Sequence, residues 1–512
     1  MPIKRALISV SDKTGIEDVA KKLSDLGVQI ISTGGTARAI KEAGVEVTDV
    51  SEVTGFPEIM EGRVKTLHPK VHGGLLAVRD SDGHMKEASE NKIEMIDLVI
   101  VNLYPFGETV AKEGVTEDEA IENIDIGGPS MLRSAAKNYK YVTVVTDPAD
   151  YSDVLAEIKA DGDTKLETRK KLARKVFTLT YQYDESINKY FRTLTEEPEL
   201  MDLHYEKVRS LRYGENPTQK AAFFRSPKNQ DSNITNAEVL HGKELSFNNI
   251  VDGDSALELV KEFSEPTAVF VKHNNPCGVA TRKTIEEAFE IAHKADPLSA
   301  FGCVVAVNRE FTEDMVNYIK ESKMFMEIII APSYTEDALK RLMTRKNLRI
   351  LRVGNFKRDL MKTDIKKVTG GILIQTKDTY ELKPSDLKVV TKLKPTDEQI
   401  ADMLFATKVV KRVVSNSVVM AKGLATVGVG AGQMSRVDSV FISGHKAGDH
   451  AQGAVMSSDA FFPFPDGVEQ AAEYGIKAII HPGGSIRDDE VIARADELGI
   501  AMVFSGRRYF KH

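Results

Sequence analysis

Short apolar runs alternate with amphipathic stretches through the first 150 positions, the pattern of a layered α/β domain whose strands are covered by helices. Ala6–Val10 predicts a strand, Ile16–Leu26 a helix and Val28–Ile31 a second strand, with a further helix at about 36–43. Leu98–Leu103 and Val142–Thr146 predict two more strands, the latter leading into a helix that runs to about residue 160. Apolar residues then recur at 172, 176, 179, 183, 187 and 190, spacings of three and four that mark one long amphipathic helix. Such a helix either closes the first domain or holds two domains together. Thr193–Leu200, with Pro198, reads as a boundary.

Beyond it, Val269–Lys272 and Val304–Val307 predict strands flanking a helix near 283–294, and the charged stretch Thr335–Lys367 reads as surface helix and loop. From Gly370 onward the strand-like pieces are Ser417–Ala421, the glycine-rich Val427–Gly432, Ala478–His481 and Ala501–Phe504. The two portions mix strands and helices alike, without a repeat visible in the letters. The expectation is an α/β protein with domains at 1–199 (core about 1–150), 200–369 and 370–512.

Composition narrows the classes. At 42% hydrophobic and 28% charged residues the chain is globular, and 69 basic against 76 acidic residues argue against non-specific nucleic-acid binding while leaving room for a local phosphate pocket. Cys277 and Cys303 are the only cysteines, too few for a disulfide framework. No run approaches the roughly 20 apolar residues of a membrane span. The N-terminal MPIKRALISV has no signal-peptide core, so the expected location is the cytoplasm.

Ser11-Asp12-Lys13-Thr14-Gly15 follows the first predicted strand, and Ser32-Thr33-Gly34-Gly35-Thr36 follows the second. Free N–H groups at a helix start, hydroxyls and the Lys13 charge suit a phosphomonoester; the competing reading is two helices capped by Ser and Thr. Neither turn is a Walker A loop or a dinucleotide fingerprint. Arg63, Lys65 and Thr66, then Tyr104 just past a strand, Asp125 before Gly127-Gly128-Pro129, and Lys137 add groups able to move protons at a polar planar substrate.

The segments SVSDKTG, STGGT, RVKTLHP, NLYPF, IDIGGP and AAKN, in this order, resemble one half of a bifunctional purine-biosynthesis family. That family joins phosphoribosylaminoimidazolecarboxamide (AICAR) formyltransferase to inosine monophosphate (IMP) cyclohydrolase. The resemblance implies a methylglyoxal-synthase-like domain with a parallel sheet. It also implies a ring-closing site at Lys65, Tyr104, Asp125 and Lys137 beside Arg63, with the 5′-phosphate against Ser11–Thr14 and Ser32–Thr36.

The later chain carries LRYGENP, VFVKHNNPCG, SNS, SDAFFPF and the terminal GRRYFKH, a run that is either a disordered tail or folded back on a ligand. In VFVKHNNPCG an apolar run ends in Lys272 and His273 before a turn, delivering a cation and an imidazole to a strand mouth. These segments resemble the formyltransferase half of the same family, which implies two cytidine-deaminase-like α/β subdomains and a homodimer with transferase sites shared between subunits. His273 would accept the proton and Lys272 act as electrophile. Asn416 would orient His273 or bind the folate; Arg212, Tyr213 and Arg508 would bind nucleotide and Phe461 border the folate pocket. The donor would be 10-formyltetrahydrofolate, acting on AICAR to give the formylated nucleotide FAICAR, which closes to IMP. A monovalent cation is a further possibility of the family.

Zinc deaminases follow an H-x-E…P-C-x-x-C pattern. His273-Asn274-Asn275-Pro276-Cys277-Gly278 lacks both the Glu and the second Cys, so no catalytic zinc is expected. Two rival readings are a non-catalytic nucleotide sensor or scaffold, and a methylglyoxal-synthase-like lyase fused to an unrelated domain. The latter leaves LRYGENP and VKHNNPCG without a role.

Overall fold

Five short strands, β1 (Arg5–Ser9), β2 (Gln29–Ser32), β3 (Thr48–Asp49), β4 (Leu98–Val101) and β5 (Thr143–Val145), form a parallel sheet in the order β3-β2-β1-β4-β5. The computed structural model describes residues 2–195, 201, 203–227, 231–356 and 363–512. It divides into one unit at Met1–Met201 and another at Asp202–His512. In the first, Ala6, Leu7 and Ile8 of β1 are fully buried, as a parallel strand covered on both faces requires. The chain winds one way from β1 to β3 and the other way through β4 and β5. The carboxyl ends of β1 and β4 therefore flank a switch point, where open sheets bind ligands.

The long helix runs Leu166–Leu194 and packs against β5 and the helix Gly127–Lys137, closing the first unit. Most of the expected boundary, residues 196–200, lies outside the described residues.

The second unit opens with a ribbon of β6 (Glu206–Leu211) and β7 (Ala221–Arg225). Its first large sheet holds β8 (Glu238–His241), β9 (Thr267–Lys272), β10 (Asn275–Thr281), β11 (Cys303–Val307), β12 (Met326–Ala331) and β13 (Arg349–Arg352). After a ribbon of β14 (Thr363–Val368) and β15 (Gly371–Thr376), a second large sheet holds β16 (Lys388–Val389), β17 (Val418–Ala421), β18 (Thr426–Gly430), β19 (Val455–Ser458), β20 (Ala478–His481) and β21 (Ala501–Phe504).

The two large sheets have one topology. Their orders are β10-β9-β11-β12-β13-β8 and β18-β17-β19-β20-β21-β16 when both are read from the hairpin edge. In each, a hairpin pairs antiparallel with the third strand, three strands run parallel, and the strand first in sequence closes the far edge antiparallel. The helices Phe247–Val260 and Asp397–Val410 occupy equivalent places, and Leu257, Val260, Met403 and Val409 share one apolar cluster with both sheets. Edges β10 and β18 meet, with the Val279 N–H donating to Thr426 Oγ1 at 2.9 Å.

One expectation needs correction. Thr335–Lys367 is not all surface helix and loop: after the helix Glu336–Met343, β13 enters the sheet with Ile350 and Leu351 fully buried, and β14 follows. Residues 357–362 of that stretch lie outside the described residues.

Candidate functional site

At the carboxyl ends of β1, β2 and β4 lies a cavity of about 530 Å³, within the range of small-ligand sites. Ser11, Lys13, Thr33, Gly34, Gly35, Thr36, Arg63, Lys65, Thr66, Tyr104 and Asp125 all line it. The two glycine-bearing turns are tied together: Thr36 Oγ1 accepts the Val10 N–H at 3.0 Å and donates to the Val10 carbonyl. A Cβ added at Gly35 would lie 3.9 Å from Lys13 Nζ. The helices starting at Ile16 and Gly34 have no side-chain N-cap bond, so Ser and Thr do not cap them, and the Ile16 N–H donates to the Lys13 carbonyl at 3.1 Å.

Not every expected residue reaches this cavity. Ser32 is fully buried and its hydroxyl donates to the Ile8 carbonyl, while Thr14 donates to Asp12. Lys137 is exposed at the last turn of Gly127–Lys137, whose first turn lines the cavity. Ten residues of helix separate the two turns by about 15 Å along the axis, and Lys137 is not among the lining residues.

Around Asp125 the packing explains the double glycine. A Cβ on Gly128 would fall 2.4 Å from Asp125 Oδ2, and one on Gly127 would fall 2.7 Å from Thr66 Oγ1. The Gly128 N–H donates to Asp125 Oδ1 at 2.8 Å. Burial pushes the Asp125 carboxyl above its usual range, opposed by the N–H groups of Gly128 and Tyr104 and by the Lys65 charge. Lys65 faces Glu58 at 4.0 Å and Arg63 pairs with Glu122.

Four participants were missed from sequence. Asn102 Oδ1 accepts the N–H groups of Ser11 and Asp12 at 2.6 and 3.0 Å, fixing the first turn. Glu58 and Glu122 hold the two cations. Tyr183 reads as one residue of an apolar stripe, yet its hydroxyl accepts the Asp125 N–H at 2.8 Å and donates to the Asn123 carbonyl at 3.2 Å. A tyrosine in the stripe, in place of an aliphatic residue, was the available signal.

In the second unit Lys272 and His273 line a smaller cavity, about 260 Å³, with Cys277, Asp296, Ser299 and Lys446. The strand read at Val269–Lys272 is one arm of a hairpin. Its central residues His273 and Asn274 have φ of 53° and 62°, the left-handed pair of a tight two-residue turn. Lys272 Nζ donates to the Phe301 carbonyl at 2.7 Å. Cys277 is half-buried with its thiol pushed up to about 12 by burial, and both cysteines are free thiols.

The other residues expected from the later motifs stand elsewhere in the unit. Arg212 stacks on Tyr213 at 4.7 Å on the turn after β6. Arg508 lines a different cavity, and Phe461 is part-exposed beyond β19. Asn416 is bonded to other groups: its amide donates to the carbonyls of Gln433 and Met434, and its oxygen accepts from Arg436 at 2.7 Å. The terminal run is folded back. The Tyr509 N–H donates to the Asp459 carbonyl, and Lys511 Nζ donates to the Arg412 carbonyl at 2.9 Å. Among the described residues no group of three or more His, Cys, Asp or Glu is placed to hold a metal ion. Likewise no described helix is long and apolar enough to cross a membrane.

Comparison with known families places the chain. Residues 135–446 match the AICARFT/IMPCHase bienzyme model and residues 15–130 the MGS-like domain model. The chain belongs to the AICARFT/IMPCHase bienzyme family. It is accordingly a bifunctional AICAR formyltransferase and IMP cyclohydrolase, an α/β protein with an N-terminal MGS-like domain. Similar members include the bifunctional purine biosynthesis protein PurH of Bacillus cytotoxicus, 54% identical over 99% of this chain and 100% of its own length. That of Acetivibrio thermocellus is 54% identical over all of both chains. A solved structure, the crystal structure of ForH, matches 37% of this chain and 98% of its own at 38% identity and a TM-score of 0.34. Formyl transfer in this bienzyme family implies a folate cosubstrate.

Proposed function

We propose that the larger unit transfers the formyl group of 10-formyltetrahydrofolate to the 5-amino group of AICAR and that the smaller unit closes the product, FAICAR, to IMP. In the larger unit a neutral His273 takes the amine proton as nitrogen attacks the formyl carbon. Lys272 leaves the Phe301 carbonyl to meet the oxygen that becomes negative in the tetrahedral intermediate. The bond from carbon to the folate nitrogen then breaks, and that nitrogen leaves protonated as tetrahydrofolate.

In the smaller unit the carboxamide nitrogen of FAICAR attacks its own formyl carbon, and water departs. Both groups belong to one molecule, so a cavity that holds them coplanar supplies much of the acceleration. Tyr104 and Lys65 donate to the developing oxygen charge, Asp125 orients or deprotonates the amide, and the phosphate rests on Ser11, Lys13 and Thr33–Thr36.

Arg212, Tyr213 and Arg508 bind nucleotide and Phe461 borders the folate. In this reading the protein is a homodimer whose transferase sites are each completed by the second copy. The shared topology of the two large sheets supports a pair of cytidine-deaminase-like subdomains, divided near residues 199 and 369. Two free cysteines suit a reducing cytoplasm.

One observation carries this reading: Lys272 and His273, consecutive at the end of a buried strand, line the same cavity. The test supplies AICAR and 10-formyltetrahydrofolate and follows tetrahydrofolate and IMP. His273→Ala should slow transfer by about 100-fold or more and leave cyclisation of supplied FAICAR unchanged. Loss of both activities, or of neither, refutes the assignment. Co-expressing Arg212→Ala and His273→Ala chains should restore transfer that neither variant has alone, if sites are shared.

A further inference from the structure

The two halves of the larger unit carry the same turn at the same place. Between β9 and β10 it reads Lys272-His273-Asn274-Asn275, and between β17 and β18 Lys422-Gly423-Leu424-Ala425. In each the central pair is left-handed, with φ of 53° and 62° in the first and 57° and 53° in the second. Three of those four residues are not glycine, so something outside the turn must hold a backbone that L side chains disfavour.

The holder is the same in both. Asp252 is the sixth residue of the helix Phe247–Val260, and Asp402 is the sixth of Asp397–Val410. Asp252 Oδ1 accepts the Asn274 N–H at 2.8 Å, and its carboxylate also receives the His273 N–H. Asp402 accepts the N–H groups of Gly423 and Leu424 at 2.8 and 2.6 Å. The lysines correspond as well. Lys272 donates to the Phe301 carbonyl at 2.7 Å and Lys422 to that of Gln452 at 2.8 Å, and each acceptor precedes a left-handed glycine, Gly302 or Gly453. What differs is the residue after the lysine, an imidazole in one half and hydrogen in the other.

We infer that Asp252 is a positioning residue for formyl transfer: it fixes the backbone from which His273 projects beside Lys272, while Asp402 does the same work for a turn that carries no imidazole. The inference rests on the roles proposed above for Lys272 and His273. Asp402 thus offers an internal control, a carboxylate with equivalent hydrogen bonds in the same unit and no catalytic neighbour.

Asp252→Asn replaces one accepting oxygen by an amide nitrogen that cannot receive an N–H. The expected result is a fall in kcat for transfer of about 10- to 100-fold, with KM for AICAR changed far less, because a displaced imidazole disturbs reaction geometry more than binding. Asp402→Asn should lower thermal stability comparably and keep kcat within about twofold of the parent, since its turn carries no reacting group. If Asp252→Asn does not fold, Asp252→Glu, which keeps the charge and moves the oxygens by one methylene, should give the same kcat loss. Equal kcat in both variants and parent, or equal losses that follow the folded fraction, overturns the inference. His273→Ala run alongside separates the two claims. Transfer surviving in it sinks the site reading and this inference together, whereas transfer lost in it but intact in the folded Asp252 variant sinks this inference alone.

Discussion

Burial lifts the Asp125 carboxyl above its ordinary value of 3.8, and the residues around it dictate what that does to cyclisation. Acting as a base it must be ionised, so the rate should fall as pH drops through the raised pKa, giving an acid limb above 3.8. Tyr104→Phe should lower the plateau by about tenfold or more without moving that limb, whereas Asp125→Asn should remove the limb with most of the activity. A pH profile of FAICAR closure checks both; a limb at the ordinary carboxylate value would contradict the environment described. The same shift has a stability sign. The folded chain holds this proton more tightly than the unfolded one, so the contribution is fullest at low pH and declines as pH rises from 3.8 through the raised value. Most of this cavity was legible, because NLYPF and IDIGGP break strand and helix patterns where a polar group has no structural reason to be. Lys137 is not among the lining residues, because order along the chain does not fix which end of a helix faces a cavity. Tyr183 was hidden because one hydroxyl does not disturb an apolar period.

Between elements, the hairpin edges meet their covering helices at glycines. A Cβ on Gly278 would lie 1.9 Å from the Ala292 carbonyl oxygen, and one on Gly428 would lie 2.0 Å from that of Ser443. Gly278→Ala and Gly428→Ala should each destabilise the larger unit by about 1–3 kcal/mol, read as a lower urea midpoint with an unchanged slope. Gly278→Ala should in addition slow formyl transfer, because β10 is the return arm of the turn that bears His273; an unchanged midpoint in both would show that the helices yield freely. Strands buried on both faces, such as β1 and β11, announced themselves as apolar runs. By contrast, β13 has only Ile350 and Leu351 between Arg349 and Arg352, too short a run to outweigh its charged surroundings. The internal repeat escaped notice for a related reason: what it preserves is a lysine in a turn and an aspartate one and a half turns into a helix, while the letters around them have diverged.

At the scale of the whole molecule, the proposed division of two activities between two units has a consequence in acid, which should separate them. His481, at the end of β20, is fully buried, with Nδ1 accepting the Gly483 N–H at 3.1 Å and the ring set against Phe462 and Phe504. Burial, helped by the Arg436 charge, brings its pKa down from 6.5 to about 3. Between those values the unfolded chain binds a proton that the folded chain refuses, so stability falls as pH drops below 6.5, by up to about 1.4 kcal/mol per pH unit from this group. Buried His293 adds to the loss in the same unit, and His72 gives the smaller unit a shift of the same sign. Transfer should therefore be lost on mild acidification before cyclisation is. His481→Phe keeps a ring between Phe462 and Phe504 but leaves the Gly483 N–H without its acceptor, which should cost about 1–3 kcal/mol at pH 7. It should also flatten the acid dependence of the larger unit by about 1.4 kcal/mol per pH unit while leaving that of the cyclisation activity alone. Urea unfolding followed through the two activities at several pH values measures both slopes, and an unaltered slope in the variant would assign the acid sensitivity to other groups.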